Sequence, residues 1–171
     1  MYKEINYNMY NKKIKKDVNI LHISDIHFYK NSDIKLLNKL YNKFKSYSLD
    51  YIIITGDILD ENKNVINKLI HMKEWIEKLS KLAIVIIGLG NHDMYSKEKG
   101  IYINDFNVLF WRDISKLDNV YLLNNDSYED NNIYVYGHTS SKYYYHPKEN
   151  KKVLLEELDN TTKSKNKYNI L

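Results

Sequence analysis

The chain contains no cysteine. That absence excludes a disulfide framework, a thiolate zinc site, an iron–sulfur cluster and a cysteine nucleophile. Any metal must be held by His, Asp, Glu, Asn or backbone oxygen. There is one proline, which excludes Pro-rich linkers and collagen-like or polyproline segments. Phenylalanine is scarce too, four against seventeen tyrosines. Tyr therefore stands in for Phe throughout and does not by itself mark a base-stacking platform. The run Tyr143-Tyr144-Tyr145 cannot put three rings on one strand face, because successive side chains alternate. Arginine, the usual bidentate reader of phosphate and guanine, occurs once, as Arg112, among 26 basic residues. There is accordingly no strong nucleic-acid signal. No apolar run approaches the roughly 20 residues of a membrane span. The longest, Leu82 to Ile87, suits a buried strand. Met1 to Asp17 is polar and lysine-rich, without the apolar stretch of a signal peptide. A soluble, cytoplasmic protein is expected.

What is present fits ordinary globular chemistry. The 171 residues are 43% hydrophobic and 28% charged, enough for one domain over 1–171. The net charge of +4 is a lysine excess. Such an excess favours anions by steering, but the lysines are scattered among acids along the chain. A basic nucleic-acid or membrane-surface binder is not favoured.

Apolar runs alternate with helical patterns. Asp17 to Ser24 reads as a strand, and Ser32 to Tyr41 as a helix opened by a Ser or Asp cap. Tyr51-Ile52-Ile53-Ile54-Thr55 is a β-branched run, as in a strand buried on both faces. Asn64 to Leu79 carries Val65, Leu69, Met72, Ile76 and Leu79 on one helical stripe, and Ala83 to Ile87 is the next strand. This β-α-β-α-β order predicts parallel strands with crossover helices. The remainder is less regular. A helix is expected over Asn104 to Leu117, short strands over Asn119 to Asn124 and Asn132 to Tyr136, and a helix over Lys151 to Leu158.

Each of the first three strands runs into a loop rich in potential ligands: Asp25-Ile26-His27, Gly56-Asp57-Ile58-Leu59-Asp60, and Gly90-Asn91-His92-Asp93. Alone, each is commonplace, since Gly-Asp is a frequent turn and Gly-Asn-His-Asp can cap a helix. Three in order, after three strands, meet at one sheet edge, where open α/β sheets bind ligands. An Asp-x-His pair can aim a carboxylate and an imidazole at one divalent ion. Asp57, on the neighbouring strand, is positioned to bridge two ions, and Asn91 offers an amide oxygen to the second. Two ions about 3.5–4 Å apart can stabilise both the attacking and leaving oxygens of a phosphoryl displacement. His92 adjoins a ligand, and Asp93 follows it. A carboxylate near an imidazole raises its pKa and orients it, which suits protonating a leaving alkoxide. His22, in a strand, and His71, on a helix, are expected to be structural.

These blocks, Ser24-Asp25-Ile26-His27, Thr55-Gly56-Asp57-Ile58-Leu59-Asp60 and Gly90-Asn91-His92-Asp93, resemble the calcineurin-like metallophosphoesterase superfamily. The resemblance is strongest over Val18 to Asp93 and looser beyond. It implies an α/β fold, a four-layer α/β/β/α sandwich around two facing sheets, incomplete here at the C-terminus. It also implies two divalent metal ions, manganese first, with iron, zinc, nickel or cobalt as alternatives. The implied activity is hydrolysis of phosphate mono- or diesters, on a small-molecule or nucleotide substrate. By resemblance, Asp25 and His27 ligate the first metal, Asp57 bridges, Asn91 ligates the second, and His92 acts on the leaving group.

One departure stands out. The superfamily's last two blocks, a lone His and a Gly-His-x-His, should supply three more histidines, yet only His138 and His146 follow His92. Tyr136-Gly137-His138-Thr139-Ser140 has Ser140 where the second histidine belongs, and reads as a strand-to-loop turn. Tyr168 to Leu171 resembles the strand that leads into the fourth block. Truncation, a split gene or degeneration would each leave the chain short of ligands. On its own it is expected to bind metal weakly and turn over poorly. The alternative reading is a catalytically impaired or inactive binding module on the same fold.

Overall fold

The structure, a computed structural model, describes residues 3–13, 15–28, 31–59, 66–94, 105–138 and 167–170, with backbone only at 31, 32, 66–68, 91, 94 and 105–108. A four-stranded sheet forms from β1 (Ile20–Ser24), β2 (Tyr51–Thr55), β3 (Ile84–Gly88) and β4 (Val120–Leu123). Its order is β1-β2-β3-β4, and every neighbouring pair is parallel. Ser24, Thr55, Gly88 and Leu123 stand level at its carboxyl edge. A second sheet, β5 (Asp126–Glu129), β6 (Ile133–Gly137) and β7 (Tyr168–Ile170), pairs antiparallel at β5–β6 and parallel at β6–β7.

Strand periodicity sorts the core. On β2 and β3, Ile52, Ile54, Val85 and Ile87 face one way, while Tyr51, Ile53 and Ile86 face the other, as alternation requires. The first face packs beneath α1 (Asn31–Phe44), α2 (Ile66–Ser80) and α4 (Asp105–Ile114). Those helices bury Leu37, Leu40 and Phe44; Met72, Trp75, Ile76 and Leu79; and Phe110, Trp111 and Ile114. The spacing of three and four residues is that of one helical stripe. Each fully buried aliphatic side chain contributes roughly 1.5–3 kcal/mol. Trp75 also donates its indole N–H to the Leu37 carbonyl at 2.9 Å, locking α2 to α1.

The second face packs against Tyr128, Ile133 and Val135 of the other sheet. One end of this interface is polar. The Tyr51 and Tyr128 hydroxyls both donate to Asp130 Oδ2, and Asn132 Nδ2 donates to the Tyr51 oxygen at 3.0 Å. Asp130 Oδ1 accepts the amides of Asn132 and Ile133. Burial is the largest influence on both phenols, with the bond to Asp130 next; Tyr51 is pushed up to about 12, and Tyr128 is raised as well. The turn before β6 therefore sits at the amino end of β2. At the far end Gly137 lies so close to β4 that an added Cβ would stand 2.2 Å from Leu123 Cβ.

The described residues thus build the α, β and β layers of an α/β fold. The helix expected at 151–158 lies outside the described residues, as do Tyr143-Tyr144-Tyr145 and His146. One strand departs from sequence expectation: β5, Asp-Ser-Tyr-Glu, has only Tyr128 to favour a strand and is held by antiparallel pairing with β6. α3 (Asn91–Met94) is a single helical turn, one of the two forms, helix cap or loop, open to Gly-Asn-His-Asp.

Candidate metal centre

The ligand loops continue the sheet beyond its formal edge. The amides of Asp25, His27 and Phe28 donate to the carbonyls of Gly56, Asp57 and Ile58 at 3.3, 2.9 and 2.9 Å. A parallel bridge then joins Phe28 to Leu59. Gly56 N–H donates to the Gly88 carbonyl at 2.8 Å, so the second loop is tied to the third strand as well.

The backbone here is unusual at the residues that carry chemistry. Asp25, His27 and Asp57 have φ of 53, 45 and 51°, and Gly56 has 65°. A side-chain-bearing residue held in the left-handed region costs roughly 1–3 kcal/mol, and persists only where its surroundings over-determine it. The amide ladder just described does so.

Three side chains converge. Ligand atoms of His27, Asp57 and His92 all lie within 4.8 Å of one another. His27 Nε2 is 3.9 Å from Asp57 Oδ2 and 4.0 Å from Asp25 Oδ1. Bonds of about 2.0–2.2 Å to imidazole and carboxylate allow two donors on one ion to stand at most about 4.4 Å apart. Both distances fall inside that limit, and the oxygen-and-imidazole donor set suits a divalent cation, so these residues fit the implied metal. The His92 amide donates to Asp57 Oδ1 at 3.2 Å, which fixes the carboxylate's rotation. The rings of His27 and His92 meet edge-on, centroids 4.9 Å apart.

Asp93 has a different environment. It is fully buried. Its Oδ1 accepts the amides of Ile58 and Leu59, both at 2.9 Å, and its Oδ2 accepts the Gly90 amide at 2.8 Å. Burial pushes its carboxyl up to about 6; the Leu59 and Gly90 amides pull against that, Asp57's charge adds to it, and the Ile58 amide opposes. Trp111 Nε1 donates to the Asp93 carbonyl at 3.1 Å, so α4 holds the turn from behind. Asp93 thus cross-links the second and third ligand loops, a task that the sequence reading, which paired it with the His92 imidazole, did not include. Asp93→Asn should lower stability by about 2–3 kcal/mol in urea unfolding, because an amide replaces a charged acceptor of three N–H groups. An unchanged midpoint would remove this cross-link from the account.

The remaining expected residues fall as follows. Asn91 opens α3, with its side chain outside the described residues. His22 bonds to Thr55 Oγ1 at 2.7 Å, and His71 approaches Glu74 on the helix surface. His138 follows Gly137 at the end of the sandwich that carries the ligand loops, but does not belong to the three-residue cluster among the described residues. Sequence reasoning placed His92 on the leaving group only. Its place in the cluster with His27 and Asp57, ligand atoms within 4.8 Å, depends on the α3 turn, where Gly-Asn-His-Asp left helix cap and loop both open.

Among the described residues no helix is long and apolar enough to cross a membrane. Residues 18–171 match the calcineurin-like phosphoesterase family. Over 85 residues the chain is 34% identical to an uncharacterized metallophosphoesterase of Campylobacter jejuni, Cj0846, covering 48% of this chain and 21% of that protein. Over 85 residues it is 36% identical to the uncharacterized metallophosphoesterase YkoQ of Bacillus subtilis, covering 50% of this chain and 30% of that protein. The chain thus spans less than a third of either curated relative. Among solved structures it is similar to the phosphopantetheinyl hydrolase PptH of Mycobacterium tuberculosis, with 14% identity and a TM-score of 0.40 over 70% of this chain and 41% of that one. It is also similar to the nuclease MPE of Pseudomonas putida, with 16% identity and a TM-score of 0.41 over 68% of this chain and 52% of that one. From the family match over most of its length, this chain belongs to the calcineurin-like phosphoesterases.

Proposed function

We propose that this chain carries the metal centre of a phosphoesterase that hydrolyses phosphate mono- or diesters with two divalent ions, manganese first. The observation that carries the reading is the convergence of His27, Asp57 and His92 donors within 4.8 Å at the carboxyl edge of parallel strands. In this reading Asp25 and His27 would hold the first ion, Asp57 would contribute to both, and Asn91 would serve the second. The chemistry expected of a bound pair is polarisation of the phosphoester and activation of water near neutral pH. The chain's own residues do the rest. The His92 amide holds the Asp57 carboxylate in one orientation. Asp93 fixes the Asp57 loop against Gly90, so the ligand spacing is set before substrate arrives. His92 gives a proton to the departing alkoxide.

The test is manganese-dependent, chelator-sensitive hydrolysis of bis-(p-nitrophenyl) phosphate. His92→Asn should depress turnover more for an alkyl ester than for the activated aryl ester, which needs no proton on leaving. An equal loss on both would count against the proton-donor role. Metal bound with no hydrolysis of either ester class would favour the inactive binding module.

A further inference from the structure

The fold sets the lysine-rich segment that precedes β1 beside Lys167, at the end opposite the ligand loops. A cleft of about 820 Å³ is lined by Lys12, Lys13, Lys15, Lys16 and Lys167, with Asn131 and Asn132. The segment before β1 supplies four of the lysines, the β5–β6 turn supplies the amides, and Lys167 immediately precedes β7. All three pieces sit at amino ends of strands: Lys16 pairs with Asp50 just before β2, Tyr51 donates to Asp130 and accepts from Asn132, and Lys167 precedes β7. A five-residue strand spans about 16 Å, so the cleft and the ligand loops cannot share one small substrate.

The basic segment is anchored at several points. Glu4 pairs with Lys43 and accepts the Tyr47 hydroxyl, and the Tyr168 hydroxyl meets Met9 Sδ. Asp50 takes Lys16 Nζ at 3.6 Å and the Asn19 amide at 2.9 Å. Two lysines of the cleft are partly neutralised, Lys16 by Asp50 and Lys167 by Glu129 at 2.8 Å. Lys12, Lys13 and Lys15 make no ion pair among the described residues. Three like charges on four consecutive positions repel one another, a cost that a multivalent anion would relieve.

We propose that this cleft binds a small oligophosphate anion. The cleft is open to solvent, with Lys12, Lys13, Lys15 and Lys16 exposed, and it is wider than a single phosphate. Lysine ammoniums act as mobile point charges, without the planar fork that selects a carboxylate or a guanine. The site therefore selects for charge density and phosphate number.

The experiment is titration of tripolyphosphate into the metal-stripped chain, so that the ligand loops contribute no bound cation. Binding is expected at low salt, at least about tenfold tighter than for orthophosphate, and lost near 1 M salt, where the screening length falls to about 3 Å. Joint Lys12→Ser, Lys13→Ser and Lys15→Ser should weaken it at least about tenfold. Lys35→Ser, Lys39→Ser and Lys73→Ser together make the same change in net charge on the helical face and should leave binding intact. No tripolyphosphate binding at low salt, or an equal loss in both triple variants, overturns the proposal. So does a single-stranded oligonucleotide that binds more tightly per phosphate than tripolyphosphate, since the cleft would then serve a strand.

Discussion

Gly90→Ala is expected to cost at least about 3 kcal/mol of stability and to abolish divalent-ion binding. The reason is geometric. A Cβ at Gly90 would stand 2.2 Å from Asp57 Oδ1, 2.4 Å from Asp57 N and 2.9 Å from Gly56 Cα. Two of these neighbours are backbone and cannot rotate away. Relief requires the second ligand loop to part from the third, which breaks the bonds from Asp93 to Ile58 and Leu59. Gly88→Ala is the matched control, since nothing lies within 4 Å of the position its Cβ would take. It should change stability by no more than about 0.5–1 kcal/mol. Urea unfolding and manganese titration of both variants check the pair. Gly90→Ala with native stability and native metal binding would mean that the loops are not held in this contact.

Asp57→Asn should leave the fold intact and weaken manganese binding at least about 100-fold, since changes one shell further out already cost 10–100-fold. Asparagine keeps an oxygen for the His92 amide, so the loop need not move. What is lost is a negative charge that is 81% shielded from solvent, its side chain being 19% exposed. The Asp25 side chain, at 68% exposed, is more hydrated, so Asp25→Asn should cost less. Calorimetric titration gives the affinities, and elemental analysis gives the stoichiometry. Equal losses at the two positions would argue against a central place for Asp57.

The ladder of apolar runs made the sheet legible in advance. Tyr51 to Thr55 read as a strand buried on both faces and Ala83 to Ile87 as the next strand, and parallel pairing followed from the helical stripes between them. The ligand loops were legible because Asp-x-His, Gly-Asp and Gly-Asn-His-Asp recur after successive strands. β5 was not, because in Asp126 to Glu129 only Tyr128 favours a strand, and the segment is held by pairing with β6. Nor was the network of Tyr51, Tyr128 and Asp130, whose members are 79 and 2 residues apart and meet only when the sheets stack.

By itself, then, the amino-acid sequence determined the strand–helix order, the absence of any thiol chemistry, and which carboxylates and imidazoles stand at the sheet's carboxyl edge. These are local properties, set by side-chain period and by the residues that follow each strand. Tertiary structure alone decided the rest. It turned Asp93 into a buried brace between loops, gathered the donors of His27, Asp57 and His92 within 4.8 Å of one another, and set Lys167 and the β5–β6 turn beside the lysine-rich segment that precedes β1. Each of these depends on contacts between residues distant in sequence, whose geometry exists only once both faces of the sheet are packed.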